Sequence, residues 1–121
     1  MKAMKLATIF NPKGERVSYM ILKDKEVKGF ARELAEDGRH ASYTELNDDS
    51  VAVALRECEE DGAFFLATCL FEAIYEATNF LGSCDISDKL HITARAIYDI
   101  RKVEDRVAAA REAVRDIVHG T

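Results

Sequence analysis

The pattern of apolar and polar positions divides this chain of 121 residues into a strand-rich first part and a helical second part. Residues 5–10 (KLATIF) and 16–23 (RVSYMILK) are rich in aliphatic, β-branched and aromatic side chains, as β-strands are. Between them, NPKG places Pro12 and Gly14 at positions that β-turns favour. These segments are therefore predicted to form a β-hairpin.

A helical period follows the hairpin in residues 24–38. Apolar side chains recur at the i, i+3, i+4, i+7, i+8 spacing of one helix face, at Val27, Phe30, Ala31, Leu34 and Ala35. Asp24 is the predicted N-cap, and Gly38 is predicted to end the helix. Residues 40–46 (HASYTEL) are predicted to form a third strand, which completes a β-β-α-β order.

The second part of the chain is predicted to be helical throughout. Residues 47–50 (NDDS) cap a helix that carries Val51, Leu55 and Cys58 on one side. Gly62 either lies inside one very long helix or marks a bend between two helices, and we favour the bend. A strongly apolar helix over residues 63–82 and a last helix over residues 88–118 follow, separated by GSCDIS.

The predicted fold class is therefore α+β, in a single domain that spans residues 1–121. A small three-stranded sheet with one helix (β-β-α-β) occupies residues 1–46. A long helical hairpin occupies residues 47–121.

The last helix carries an apolar seam at alternating spacings of three and four residues. Its members are Ile100, Val103, Val107, Ala110, Val114 and Ile117. Such a seam either packs on the 63–82 helix of the same chain or joins two subunits, and the two arrangements are compatible. The aromatic side of the 63–82 helix, formed by Phe64, Phe71 and Tyr75, is likewise either core or oligomer interface.

Composition narrows the classes of function. The net charge of −5 argues against nucleic acid as a general partner, because phosphates require a concentrated basic surface. Three cysteines without a CxxC spacing, and no apolar signal-like segment at the start, favour a reducing, cytoplasmic location. No apolar run reaches the roughly 18 residues of a membrane span, so no membrane association is expected.

Two glutamates are the best candidates for a ligand site. Glu72 and Glu76 lie one turn apart on the polar strip of the otherwise apolar 63–82 helix. They either form a solvated edge, paired with arginines such as Arg95 or Arg101, or bind a ligand together with those arginines. The Glu-x-x-His motif of helical-bundle metal sites is missing.

A second cluster, formed by Cys84, Asp85, Asp88 and His91, matches no zinc spacing and suits a helix N-terminus equally well. Phosphate-binding glycine loops and common hydrolase motifs are also missing from the sequence. No metal or cofactor is therefore expected, and no residue is assigned a catalytic role.

An acidic run forms the second candidate binding surface. It contains Glu57, Glu59, Glu60 and Asp61. Such a run is either a solvated helix face or a surface that imitates a phosphate backbone and competes for a basic groove.

These features favour a small, acidic protein-interaction or regulatory protein without catalytic activity. We expect a protein partner and a homo-oligomer, most simply a dimer. One alternative is an acidic inhibitor of host nucleic-acid or defence machinery, of the kind that phages and plasmids encode. Another is a protein or enzyme that binds a small anionic molecule at Glu72 and Glu76.

Overall fold

The structure is a computed structural model that describes residues 4–80 and seven helical residues near the C-terminus, namely Ala108, Ala110, Arg111, Glu112, Val114, Arg115 and Val118. In chain order the elements are β1 (Met4–Phe10), β2 (Arg16–Lys23), a 3-10 turn (Asp24–Glu26), α1 (Val27–Glu36), β3 (His40–Glu45), α2 (Asp48–Glu60) and α3 (Phe64–Phe80). The predicted α+β class and β-β-α-β order are confirmed. Most of the predicted last helix, and with it the long helical hairpin, lies outside the described residues.

The three strands form an antiparallel sheet in the order β2-β1-β3. The NPKG turn joins β1 to β2. The Asn11 side chain stabilises this turn by accepting hydrogen bonds from the backbone N–H groups of Lys13 and Glu15, both at 3.0 Å. Gly14 completes the turn at a positive φ of 82°, which glycine adopts without steric cost. A bulge between Ile9 and Phe10 shifts the β1/β2 register beside this turn.

Different helices pack on the two faces of the sheet. Leu6, Tyr19 and Ile21 lie on one face and belong to the main hydrophobic core, together with side chains of α2 and α3. We call this the α2 face. Ala7, Ile9 and Leu22 lie on the opposite face, where they are buried. On this face α1 lies against β3. Burial of Leu34, the buried residue of α1, indicates that this helix covers the second face.

Helix α1 begins differently from the prediction. Asp24 is already part of the 3-10 turn and is not an N-cap, because the chain leaves β2 directly into that turn. Glu26 precedes α1 without a side-chain cap, and its carboxylate accepts a hydrogen bond from the N–H of Lys23 at 3.0 Å. The predicted end is confirmed: Gly38 has a φ of 73°, and the N–H of Arg39 donates to the Leu34 carbonyl at 2.9 Å.

Helix α2 begins at the predicted cap. The Asn47 side chain accepts a hydrogen bond from the Ser50 N–H at 2.8 Å, and the Ser50 hydroxyl accepts one from the Asn47 N–H at 3.1 Å. The predicted inner side of α2, which contains Val51, Leu55 and Cys58, is fully buried. Gly62 has a φ of 66° and separates α2 from α3, so the predicted bend is confirmed.

The described C-terminal residues pack onto this framework. Ala110 and Val114 are fully buried in the main core, and Val118 is nearly so. Arg111 and Arg115 reach the start of α2, where both bind the Asp48 carboxylate, at 3.3 and 2.9 Å. The C-terminal residues therefore contribute to the same core as the sheet.

Candidate binding groove

The glutamates on α3 are exposed to solvent. Glu72 and Glu76 both lie on the outer side of the helix, as expected for its polar strip. Their predicted partners, Arg95 and Arg101, lie outside the described residues. Ligand binding at these four positions therefore stays a prediction.

The acidic run is partly neutralised within the chain. Arg16 of β2 lies between the carboxylates of Glu57, at 3.6 Å, and Asp61, to which its second terminal nitrogen donates a hydrogen bond. Glu60 is exposed, and Glu59 is half-buried. Because the Arg16 guanidinium neutralises part of this surface, the acidic run presents less negative charge to a partner than its sequence indicates.

The described members of the predicted oligomer interface lie inside the chain. Phe71, Ala110 and Val114 belong to the core of a single chain and are almost completely buried there. The same periodicity suits either kind of helix pairing, and at these three positions the packing is intrachain. The other members lie outside the described residues: Ile100, Val103, Val107, Ile117 and the side chains of Phe64 and Tyr75.

Among the described residues, no group of three or more potential ligands is placed to hold a metal ion. Across that same part of the chain, no helix has the length and apolar character needed to cross a membrane.

An open groove of about 550 Å³ lies on the α2 face, between α2 and the β1/β3 side of the sheet. We call it the α2/β3 groove. It is lined by Leu6, Thr8 and Phe10 of β1, Arg16 of β2, Ser42, Thr44 and Glu45 of β3, and Asn47, Asp49, Ser50, Val53, Ala54 and Glu57 of α2 and its cap.

The floor of the groove is rich in hydroxyl groups. Thr8 of β1 pairs directly with Ser42 of β3, and Leu6 pairs with Thr44, so these side chains point to the same face. Ser42 and Thr44 are exposed, and the Thr44 hydroxyl donates a 3.4 Å hydrogen bond to the Leu6 carbonyl. The hydroxyl groups lie beside the apolar side chains of Leu6 and Phe10, and β3 contributes serine and threonine to this face of the sheet.

The wall of the groove is one side of α2. Asp49, Val53 and Glu57 recur every fourth residue and therefore form a line along the helix. Val53 at its middle is 54% exposed, which is unusual for a valine beside a hydrophobic core. An exposed apolar side chain opposite a hydroxyl-rich floor is suited to contact with another molecule.

The two ends of the groove differ in charge. Arg16 and the ring of Phe10 lie at one end, where Phe10 stacks on His40 with ring centroids 5.0 Å apart. Asn47 and Asp49 lie at the other end, at the start of α2. Both charges have partners, since Arg16 binds Glu57 at 3.6 Å and Asp49 lies 3.5 Å from Arg111.

A buried polar contact fixes the position of α2 over the sheet. The Tyr19 hydroxyl lies 3.4 Å from the Cys58 sulfur, and Arg16 donates to the same hydroxyl at 3.4 Å. Burial, and then the contact with Cys58, raises the pKa of Tyr19 well above its ordinary value of 10.0. Burial likewise raises the pKa of the Cys58 thiol, which is therefore a neutral core group and not an activated nucleophile.

Two signals in the sequence point to residues of this groove, but not to the groove itself. The hydroxyls of HASYTEL alternate as they must in a strand, and Val53 lies off the inner side defined by Val51, Leu55 and Cys58. Both signals were visible, but nothing in the sequence placed α2 beside β3. No protein-family model, curated protein or solved structure matches this chain.

Proposed function

We propose that this chain is a non-catalytic protein-interaction domain that holds a short segment of a partner protein in the α2/β3 groove. One observation carries the proposal: Val53 is largely exposed in the wall of an open groove whose floor includes the hydroxyl-bearing side chains of Thr8, Ser42 and Thr44. This arrangement combines an apolar contact with groups that both donate and accept hydrogen bonds.

The chemistry of the lining indicates the kind of segment that fits. Ser42 offers a hydroxyl that can donate to or accept from the backbone of an extended peptide, and the Thr44 hydroxyl, which donates to the Leu6 carbonyl, can still accept a hydrogen bond from a peptide N–H. Val53 offers a surface for one small or branched apolar side chain. Because Arg16 and Asp49 are engaged within the chain, charge contributes little to this recognition.

Site-specific photo-crosslinking tests the proposal. A photoreactive amino acid replaces Val53 in one variant and Phe65, the 60% exposed aromatic of α3, in the control. Both positions are exposed, but only position 53 lines the groove. After crosslinking in the native host, mass spectrometry identifies the attached segment. We expect a defined partner segment at position 53 and none, or a different one, at position 65.

Binding of a synthetic peptide with the sequence of that segment is then measured by calorimetry. Val53→Lys should weaken binding by about tenfold or more, because it removes an apolar contact and places a charge in the wall. Phe65→Lys should leave the affinity unchanged. Equal affinities for wild type and Val53→Lys, or crosslinks confined to position 65, would contradict the groove as the binding site.

The two alternative functions stay proposals with less support. An acidic inhibitor would use Glu57 and Asp61, both of which contact Arg16 within the chain. A small anionic ligand would be bound near Glu72 and Glu76, which are exposed on α3. Glu72 and Glu76 do not line the α2/β3 groove, so the crosslinking experiment distinguishes the anionic-ligand alternative. The acidic run shares Glu57 with the groove wall, so an acidic inhibitor is distinguished instead by salt-sensitive binding that is lost when Glu57, Glu59, Glu60 and Asp61 are neutralised together.

A further inference from the structure

The outer edge of β3 carries backbone groups that no described strand pairs. The N–H of Leu46 donates to the carbonyl of Met4 at 2.9 Å, which sets the phase of the hydrogen bonds between β3 and β1. In an antiparallel pair, every second residue bonds to the neighbouring strand. Thr44 and Ser42 therefore face β1, whereas Ala41, Tyr43 and Glu45 direct their N–H and C=O groups outward, away from the sheet.

The side chains around this edge are accessible as well. His40, Ser42, Thr44 and Glu45 are all exposed. The sheet has a second edge at β2, but that strand carries the bulge beside Phe10, and α3 packs against it. Bulges and covering helices are the usual protection of an edge strand; for β3, the described part of the chain supplies α1 on one face.

We propose that β3 pairs with β3 of a second copy of this chain, in antiparallel orientation, to form a continuous six-stranded sheet across a two-fold dimer. The proposal goes beyond the groove function, which requires only a single chain. In the pairing that we favour, Ala41 lies opposite Tyr43 of the second copy and Ser42 lies on the two-fold axis. Arg39 then lies opposite Glu45 of the second copy, and the symmetry makes this ion pair twice.

Charge complementarity selects both the partner and the register. Arg39 directly precedes β3 and Glu45 ends it, so an antiparallel copy brings opposite charges together at both ends. A shift of the second copy by two residues places Ala41 opposite Glu45 and Tyr43 opposite Tyr43, and no ion pair remains. Outside the dimer, Arg39 binds only the exposed Asp37 among the described residues, at 2.8 Å.

The dimer would also change the groove. The two-fold axis of an antiparallel strand pair stands perpendicular to the sheet, so both α2 faces lie on the same side. The two α2/β3 grooves would then adjoin, with the paired β3 strands as a shared floor and one α2 helix on either side.

Sedimentation velocity over a range of concentrations tests the pairing. The wild type should form a dimer, and Ala41→Pro should raise the dissociation constant by about a hundredfold or more, because it removes an outward N–H on each strand. Within one chain that N–H bonds to none of the described strands, so the variant should keep its fold, as circular dichroism will show. A wild type that stays monomeric at millimolar concentration would overturn the proposal.

Charge reversal provides a test that does not depend on proline. Arg39→Glu should weaken the dimer by roughly tenfold, since it sets two glutamates opposite each other at both ends. Adding Glu45→Arg to this variant should restore much of the affinity. Lys13→Glu, a matched reversal in the exposed β1/β2 turn, should have no effect.

Glu45 also lies opposite Lys5 within the chain, so the unfolding midpoint of each variant is measured in parallel. A dimer that none of these substitutions weakens would show that the chain associates through another surface, and the β3 pairing would be wrong.

Discussion

The strands β2 and β3 occupy equivalent positions at the two edges of one sheet, and both pair with β1. Tyr19 and Ile21 of β2 are buried on the α2 face, and Leu22 is buried on the other. In β3, by contrast, the residues on the α2 face are exposed, and only Ala41 and Tyr43 are half-buried. The difference shows that two strands in equivalent edge positions can differ in how far their side chains are buried.

The cause of this difference lies in the two strand sequences. RVSYMILK supplies large apolar side chains to both faces, so helices can cover both. HASYTE supplies serine, threonine and histidine to one face, and α2 passes beside that face without covering it. One edge therefore contributes large apolar side chains to the core, while the α2 face of the other is exposed among the described residues.

The strongest test of this contrast compares truncations at the two edges. Ile21→Ala should lower the free energy of unfolding by about 2–5 kcal/mol, because it leaves a cavity in the main core. Ser42→Ala, in β3, should change it by less than about 0.5 kcal/mol, because the serine is exposed. Urea unfolding followed by circular dichroism measures both. Similar losses at the two positions would show that β3 is as deeply integrated as β2.

The start of α2 offers a second test, because this helix forms the groove wall directly after β3. Asn47→Ala should cost about 1 kcal/mol of unfolding free energy, since the side chain caps α2 through the Ser50 N–H. Asp24→Ala is the matched control: Asp24 makes no side-chain cap, and its removal should cost less than about 0.5 kcal/mol. Equal costs in the same unfolding experiment would contradict the capping geometry described here.

The two tyrosines that lie on the edge strands should respond differently to removal of the hydroxyl group. Tyr19→Phe in β2 should lower the unfolding free energy by about 1 kcal/mol, because the hydroxyl contacts Cys58 and Arg16. The Tyr43 hydroxyl in β3 is buried without a hydrogen-bond partner among the described residues. Tyr43→Phe should therefore be neutral or stabilise by up to about 1 kcal/mol. A loss of stability on Tyr43→Phe would reveal a partner for that hydroxyl.

Alkaline pH provides an independent reading of Tyr19. Because burial raises its pKa in the folded chain above the ordinary value of 10.0, the unfolded chain loses this proton first as the pH rises. The contribution of Tyr19 to stability is therefore fully present below about pH 10 and declines above it. Tyr19→Phe should weaken this alkaline decline, which unfolding experiments at several pH values will measure.

How far the sequence predicted the structure follows from the range of each signal. The bounds of β2, the Asn47 cap and the bend at Gly62 depend on neighbouring residues, and all three were predicted. The prediction of Asp24 as an N-cap was wrong. The backbone conformation of Asp24 depends on how the chain leaves β2, and the residue type alone does not encode that path.

The groove lies at the limit of such reasoning. Its residues come from four elements, and it exists because α2 is displaced from the exposed side of β3. Helical periodicity specifies the inner side of α2 but not its lateral position on the sheet. Ala110 and Val114 show the same limit, since a seam of this spacing does not encode whether its partner belongs to the same chain.

The smallest expected effect concerns the ion pairs at the start of α2, which attach the C-terminal residues to α2 and leave the β3 edge untouched. Hydrogen bonds from Arg115, and then Arg111, lower the pKa of Asp48 in the folded chain. This contribution is present above about pH 4 and is lost as the pH falls through the lowered pKa. Asp48→Asn should therefore reduce the loss of stability in acid, whereas Asp49→Asn, at the more exposed neighbouring carboxylate, should change it less. Added salt should diminish the difference because the pairs are solvent-accessible.

An acid unfolding profile that is the same for Asp48→Asn and wild type would mean that these ion pairs do not hold the C-terminal residues in place, and that apolar packing of Ala110 and Val114 does so alone.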